Sequence, residues 1–252
     1  MYDDLPRPTI FAHRGSSAHA PENTLAAFEL AIHQGAPAIE LDAKYCLDGH
    51  VVVIHDQTVD RTTGSTGKVR QLPLKALKEL DAGSFFDSTY KGEKIPTLEE
   101  VFETVGRRSF INVEITNYAS PLDDLPDRIA GLVKKFNLAD RILFSSFNPL
   151  ALLRVRQLLP QVPRGLLVFH GASGSWARGW IGRRFPCQAL HPEASDVTAS
   201  LVARTHQAGR RMHVYTVNQP EEMRRLINLG IDGIFTDDPP LAQQVLFHPQ
   251  QV

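Results

Sequence analysis

The chain has 252 residues, of which 42% are hydrophobic and 22% charged, a balance typical of a globular protein with a sizeable core. Its 27 basic and 28 acidic residues give a formal net charge of −1, and the basic residues occur in pairs rather than in a stripe, which argues against a nucleic-acid partner. The sequence has no long uncharged apolar stretch and no signal-peptide pattern at its start, so we expect a cytoplasmic protein without stable membrane insertion.

Apolar, β-branched runs alternate with helical patterns along the chain. Strands are predicted at residues 9–13, 38–44, 110–115, 141–145, 165–169, 189–191, 212–216 and 233–236. Helices are predicted between them at residues 24–34, 98–105, 123–136, 149–159, 199–208 and 220–229, the first with Asn23 or Thr24 as its N-cap. This alternation predicts an α/β protein with a parallel sheet, and at this length a closed (β/α)₈ TIM barrel, with a doubly wound open sheet as the competing topology.

One segment interrupts the alternation after the second predicted strand. Residues 45–96 contain the stretches "DGHVVVIHD", "TTGSTGKV" and "KALKELDAG", which together indicate a hairpin-like insertion with glycine turns and a short helix. A connection of this length with its own secondary structure is often functional. We therefore expect one domain over residues 1–252, a TIM barrel with a small inserted subdomain at roughly 45–96.

Three carboxylates are placed where a barrel would carry its active site, at the carboxyl ends of strands. Glu40 and Asp42 are two residues apart on the second strand and so share one face, and Glu114 is near the end of the third. Acids that converge in a barrel mouth repel one another, and one divalent cation would relieve that repulsion. An all-oxygen ligand set favours Mg²⁺ or Ca²⁺ over zinc. Pairing of Glu40 and Asp42 with arginine or lysine in structural ion pairs is the alternative.

Two histidines differ from the other eight because each follows a strand-like apolar run and precedes a charged residue. His13 ends the first strand, and His55 ends "VVVIH" in the insertion. Two imidazoles near one cation can divide proton transfer between a base and an acid. Arg14 adds a planar fork that matches phosphate oxygens. These residue types together suit nucleophilic attack on phosphorus.

Seven stretches of the sequence are similar, in order, to the glycerophosphodiester phosphodiesterase family. They are "AHRGSSAHAPENTLAAF", "IELDAKYCLDGHVVVIHD", "TTGSTGKV", "IPTLEEV", "NVEI", "YTVN" and "GIDGIFTDDP", and they extend from about residue 10 to about residue 240. The combination of HRG, PENT, E-x-D and a later HD makes the first two stretches highly specific for this family.

The resemblance implies a TIM barrel that hydrolyses small-molecule glycerophosphodiesters to glycerol 3-phosphate and an alcohol. By motif position, Glu40, Asp42 and Glu114 would hold the metal ion, His13 and His55 would be the acid–base pair, and Arg14 would bind phosphate. The family mechanism uses the substrate's own glycerol 2-hydroxyl as the nucleophile and passes through a cyclic phosphate. An attacking group within the same molecule has a high effective concentration, which makes this route chemically reasonable.

The sequence departs from the family pattern at two positions. Thr116 replaces a lysine that usually follows the third-strand glutamate by two residues, and a hydroxyl cannot supply the missing positive charge. Lys44 has the same strand parity as Glu40 and is a candidate replacement as a substrate-binding group, although a solvated lysine at the barrel rim is the alternative. Tyr215 replaces a common tryptophan and would form an aromatic wall for the substrate's glycerol, or else belong to the core.

Two other functions are compatible with the sequence. A lysophospholipase D type enzyme would keep the fold and act on a lipid, for which it would need an apolar surface. A non-catalytic barrel that binds phosphorylated ligands would be consistent with Thr116, but it would have no use for a complete histidine pair.

Overall fold

The computed structural model describes residues 2–247 and contains nine strands. In chain order they are β1 (Thr9–Ala12), β2 (Ala38–Tyr45), β3 (Val51–Val53), β4 (Phe110–Ile115), β5 (Ile142–Ser146), β6 (Arg164–Val168), β7 (Ala189–Pro192), β8 (Arg211–Val214) and β9 (Gly233–Thr236). All except β3 are parallel, and β1 pairs with both β2 and β9, which closes the eight parallel strands into a barrel. The predicted TIM barrel is therefore confirmed, and the open doubly wound sheet is not formed.

Helices surround the barrel and lie between successive strands. They are α1 (Leu25–His33), α2 (Asp60–Thr63), α3 (Leu74–Glu79), α4 (Leu98–Val105), α5 (Leu125–Lys135), α6 (Pro149–Leu158), α7 (Ser175–Arg178), α8 (Trp180–Arg184), α9 (Ala199–Gln207), α10 (Pro220–Asn228) and α11 (Pro239–Phe247). Four short 3₁₀ turns occur at Val69–Gln71, Ser88–Tyr90, Gly171–Gly174 and Ala194–Asp196. In the part of the chain described, no helix combines the length and the apolar character needed to cross a bilayer.

The helix ends follow local chemistry that is visible in the sequence. Thr24 caps α1, because its hydroxyl oxygen accepts a hydrogen bond from the Ala27 N–H at 3.2 Å. Thr97 and Glu100 form a reciprocal capping box at the start of α4. The predicted barrel strands and the six predicted helices agree with the observed ones to within two residues at each end.

The main hydrophobic core lies between the barrel strands and the surrounding helices. It is built from apolar side chains of both layers, among them Phe28 of α1, Ile39 of β2 and Leu98 of α4, all fully buried. A second, smaller cluster inside the barrel contains Phe11 and Phe235, whose rings stack with centroids 4.7 Å apart. The barrel interior is thus packed below its mouth, and open space remains toward the carboxyl ends of the strands.

The segment between β2 and α4 forms a small structure against the barrel. β3 pairs antiparallel with the end of β2, and α2 and α3 follow it. This segment has its own apolar cluster, formed by Cys46, Val52, Ile54, Val59, Val69, Leu77, Ala82 and Ile95. The predicted hairpin and short helix are both present. His55 follows the second hairpin strand, β3, and lies at the barrel mouth.

Two features were not predicted. The connection between β6 and β7 contains the 3₁₀ turn at Gly171–Gly174 and the short helices α7 and α8, and the last helix is α11. The stretch "GASGSWARGW" has no helical periodicity, so α7 and α8 could not be inferred from it.

Candidate active site

A cavity of about 270 Å³ opens at the carboxyl ends of the barrel strands. Seven of the eight residues assigned to the site from the sequence line it, together with Asn112, Ser145, Phe147 and other barrel residues. The seven are His13, Arg14, Glu40, Asp42, His55, Glu114 and Tyr215, and Lys44 lies outside the cavity.

The three carboxylates meet because of strand parity and register. Glu40 and Asp42 project from the same face of β2, and Asp42 is directly opposite Glu114 in the parallel β2–β4 pair. One oxygen from each carboxylate can be chosen so that all three lie within 4.8 Å of one another. Glu40, Asp42 and Glu114 therefore lie together, as strand parity predicts.

The acids perturb one another because they are buried together. Burial, and then the charges of Asp42 and Glu114, raise the pKa of Glu40 well above its ordinary value. Burial and the charge of Asp42 raise the pKa of Glu114 to about 8. Burial also disfavours ionised Asp42, but the charge of Arg14 and other positive or hydrogen-bond-donating groups outweigh it and lower the pKa of Asp42. The cluster thus holds more negative charge than its protein surroundings neutralise.

Each carboxylate is held by at least one protein donor. Glu40 accepts a hydrogen bond from the backbone N–H of Arg14 at 3.0 Å, and Glu114 accepts one from the Tyr118 hydroxyl at 2.6 Å. Asp42 accepts a hydrogen bond from the Asn23 amide at 2.9 Å. Arg14 Nε lies 3.5 Å from Asp42, the one ion pair that the structure records for these acids among residues 2–247. Structural ion pairing, the alternative for Glu40 and Asp42, therefore accounts for Asp42 alone.

Arg14 occupies a tight turn immediately after β1. Its backbone is left-handed, with φ of 57°, and Gly15 follows with φ of 85°. A Cβ atom on Gly15 would lie 2.6 Å from the carbonyl carbon of Ala27, so only glycine fits there. The turn directs the Arg14 N–H at Glu40 and leaves the Arg14 guanidinium at the cavity wall. A non-glycine residue at positive φ is strained, and such residues cluster at functional sites.

His13 is the first member of a hydrogen-bonded chain. Its Nδ1 is 2.6 Å from Oδ1 of Asp237, and the other oxygen of Asp237 accepts a hydrogen bond from the Asn218 amide at 2.6 Å. An acceptor at Nδ1 keeps the proton there, so Nε2 is the atom available for exchange. Asp237 therefore orients His13, and Asn218 holds Asp237 in place.

His55 has a similar arrangement on the inserted segment. Its Nδ1 is 2.7 Å from Oδ1 of Asp56, and Asp56 in turn binds the Arg61 guanidinium. Lys44 donates hydrogen bonds to the backbone carbonyls of His55 and Asp56, the latter at 2.9 Å. The Lys44 ammonium is thus engaged behind His55, and burial lowers its pKa.

The two positions that depart from the family pattern have simple surroundings. The Thr116 hydroxyl donates a hydrogen bond to the Ala43 carbonyl at 2.8 Å, so it satisfies the backbone and brings no charge to the cavity. The Tyr215 ring lines the cavity while its hydroxyl donates to the Val168 carbonyl at 2.6 Å. The Tyr215 ring packs at 5.9 Å from the Phe147 ring, which extends the aromatic wall outward.

Sequence reasoning missed several residues that complete the site. Tyr118 follows a strand end, but a tyrosine in a polar loop carries no signal that it will bind Glu114. Arg61 immediately precedes "TTGSTGKV", a stretch that predicts glycine turns and carries no signal of an ion pair. Asn23 was treated as a possible helix cap, and its positive φ of 57° with a bond to Asp42 was not foreseen. Asn23 is 19 positions from Asp42 and Arg61 is 39 from Glu22, whereas Tyr118 is only four positions from Glu114.

Fold and site together define a TIM-barrel enzyme whose centre suits a phosphate ester. A family model for the glycerophosphoryl diester phosphodiesterase family matches residues 13–241. A glycerophosphodiester phosphodiesterase from Caldanaerobacter subterraneus subsp. tengcongensis is 40% identical over 231 residues, which are 91% of this chain and 94% of the relative. A relative of the same name from Bacillus altitudinis is 35% identical over 94% of this chain and 97% of its own.

A solved structure gives the same result for the fold. A phosphodiesterase from Oleispira antarctica, in complex with the product sn-glycerol-3-phosphate, superposes with a TM-score of 0.88 at 32% identity, covering 97% of this chain and 98% of that one. The chain belongs to the glycerophosphoryl diester phosphodiesterase family. The resemblance inferred from the sequence motifs is thereby confirmed.

Proposed function

We propose that this protein hydrolyses glycerophosphodiesters to glycerol 3-phosphate and an alcohol, with a divalent cation at the acidic cluster. The observation that carries the proposal is the meeting of Glu40, Asp42 and Glu114 with two imidazoles and Arg14 around one cavity. The membership of the family and the product named for the Oleispira antarctica relative point to the same reaction.

The acidic cluster has the composition of a site for a hard cation. Three carboxylates offer oxygens within 4.8 Å of one another, and the raised pKa values of Glu40 and Glu114 mean that positive charge is lacking there. Oxygen ligands suit Mg²⁺ and Ca²⁺ alike. A bound cation would supply positive charge against the phosphoryl oxygens and the entering hydroxyl.

The protein side chains account for the remaining tasks. Among the described residues that line the cavity, Arg14 is the only lysine or arginine, so it is the residue that binds phosphate oxygens. His13 and His55 exchange protons at Nε2, because Asp237 and Asp56 occupy their Nδ1 atoms. Tyr215 provides an apolar wall for the glycerol carbons. In the described part of the cavity wall, Arg14 has no second cation beside it, because Thr116 is uncharged and Lys44 lies outside the cavity. Lys44 instead binds the backbone carbonyls of His55 and Asp56.

The lysophospholipase D alternative differs only in the substrate. Phe169 stacks on Phe147 at 4.3 Å and is 52% exposed at the mouth, so the aromatic wall continues to the surface. A substrate with an acyl chain would use this extension, and a water-soluble diester would not need it. A substrate panel separates the two.

The test uses the full chain after treatment with EDTA. Release of glycerol 3-phosphate from glycerophosphocholine, glycerophosphoethanolamine and glycerophosphoglycerol is measured before and after Mg²⁺ or Ca²⁺ is restored, with lysophosphatidylcholine as the lipid arm. We expect turnover of the water-soluble diesters only with metal, and its loss in His13→Ala and Glu40→Gln. Metal-independent turnover, or binding without turnover, would contradict the proposal.

A further inference from the structure

Arg61 joins two carboxylates that belong to different parts of the fold. It lies in α2 of the inserted segment, and its guanidinium donates to both oxygens of Glu22, at 2.5 and 2.8 Å. The same guanidinium donates to both oxygens of Asp56, at 2.7 and 3.2 Å. Glu22 belongs to the loop between β1 and α1, so Arg61 fastens the insertion to the barrel.

Each of these carboxylates also holds one residue of the active site. Oδ1 of Asp56 is hydrogen-bonded to Nδ1 of His55 at 2.7 Å. Glu22 accepts a hydrogen bond from the Arg14 guanidinium at 2.9 Å. Oε1 of Glu22 is therefore shared between Arg14 and Arg61. Because Arg61 also binds this oxygen, Glu22 attracts Arg14 less strongly than it would with Arg14 as its sole partner.

Arg61 faces two carboxylates, and Arg14 faces Glu22 and, at 3.5 Å, Asp42. Glu22 and Asp56 carry two negative charges, Arg14 and Arg61 two positive ones, and Arg61 pairs bidentately with each acid. Only a guanidinium can satisfy two carboxylates in this way, because an ammonium is a point charge without the planar fork. The hydrogen bonds from Arg61 are also the first cause of the lowered pKa of Asp56.

We propose that Arg61 is the positioning residue that sets His55 on the insertion in register with Arg14 on the barrel. The inference rests on the proposed function, since it assigns Arg61 a part in that reaction without contact to the substrate. Arg61 does not line the cavity, and it acts through Asp56 on the imidazole and through Glu22 on the phosphate-binding guanidinium.

Removal of the Arg61 side chain has two expected effects. Asp56 loses its bidentate partner and no longer holds His55 in one orientation, which lowers kcat. Glu22 is left to Arg14 alone and competes with the phosphate for it, which raises KM. Loss of charge-assisted hydrogen bonds at both ends predicts a fall in kcat/KM of about 10- to 100-fold in Arg61→Ala.

The test is chemical rescue of Arg61→Ala in the full chain, assayed with glycerophosphocholine and metal. The Arg61 side chain is 45% exposed, so a small guanidinium can reach the vacated space. Millimolar methylguanidinium restores activity if the planar fork is what matters, and methylammonium at the same concentration does not. The control is Arg154→Ala, because Arg154 binds Asp127 bidentately, at 3.0 and 2.6 Å, with a similar exposure of 48% and lies away from the cavity.

A fall in kcat/KM that methylguanidinium reverses, with Arg154→Ala near the parent, supports the proposal. An Arg61→Ala variant within twofold of the parent overturns it, and so does a loss that methylguanidinium leaves unchanged. If the parent turns over no glycerophosphodiester, the proposed function fails, and calorimetric affinity for glycerol 3-phosphate then tests Arg61. Unchanged affinity in Arg61→Ala overturns the positioning role, and weaker affinity supports it through Arg14.

Discussion

The substitution Asp237→Asn tests the proton-transfer role of His13. Asn keeps the shape of the side chain but removes the charge that faces His13 Nδ1 at 2.6 Å, and its amide can donate toward that nitrogen and favour the wrong tautomer. A hydrogen bond to a charged group contributes about 1.5–3 kcal/mol, and each 1.36 kcal/mol is a factor of ten in rate, so kcat falls roughly 10- to 100-fold. KM changes little, because Asp237 does not line the cavity.

The assay is steady-state release of glycerol 3-phosphate from glycerophosphocholine with metal present. Asp238→Asn is the matched control, since Asp238 is the next residue and pairs with the surface residue His19 at 3.1 Å. A kcat for Asp237→Asn within twofold of the parent, with an unchanged melting temperature, would refute the reasoning that Asp237 fixes the reactive tautomer of His13.

Three further results are expected. Addition of Mg²⁺ or Ca²⁺ at 100 times its Kd raises the free energy of unfolding by about 2.7 kcal/mol, measured by urea unfolding, and Glu40→Gln abolishes that gain. Burial lowers the pKa of His191 to about 3 and that of His213 well below 6.5, so the unfolded chain binds more protons as the pH falls. The stability that the two neutral histidines contribute is complete well above pH 6.5 and declines below it, by about 2 kcal/mol at pH 5 for His191 alone, and His191→Gln flattens this part of the dependence. A substrate analogue without the glycerol 2-hydroxyl binds but is not hydrolysed; hydrolysis at the normal rate would exclude an intramolecular attack.

The barrel was predictable because its signals are local and repeated. Apolar runs mark the strands, and residues such as Thr24 and Gly35 mark where helix α1 begins and ends. Strand parity then places Glu40 and Asp42 on one face, and the rule that barrel sites lie at carboxyl ends brings Glu114 beside them. Periodicity and one topological rule thus lead from the sequence to the acidic cluster.

The partners of these residues were not predictable in the same way. The bond between His13 and Asp237 spans 224 positions, and that between Arg61 and Glu22 spans 39. No periodic pattern links such pairs. Lys44 has the correct strand parity for the cavity, yet its ammonium donates to nearby backbone carbonyls because a buried donor needs acceptors. Side-chain direction at the end of a strand is a tertiary property.

The inserted segment has an apolar cluster of its own, distinct from the one beneath the barrel helices. His55, one of the two imidazoles, follows β3 in this segment, so its position depends on how the segment packs against the barrel. If the segment opens before the barrel unfolds, activity is lost at a lower temperature than the far-ultraviolet circular dichroism signal. The margin between those two temperatures reports how firmly the hairpin is docked.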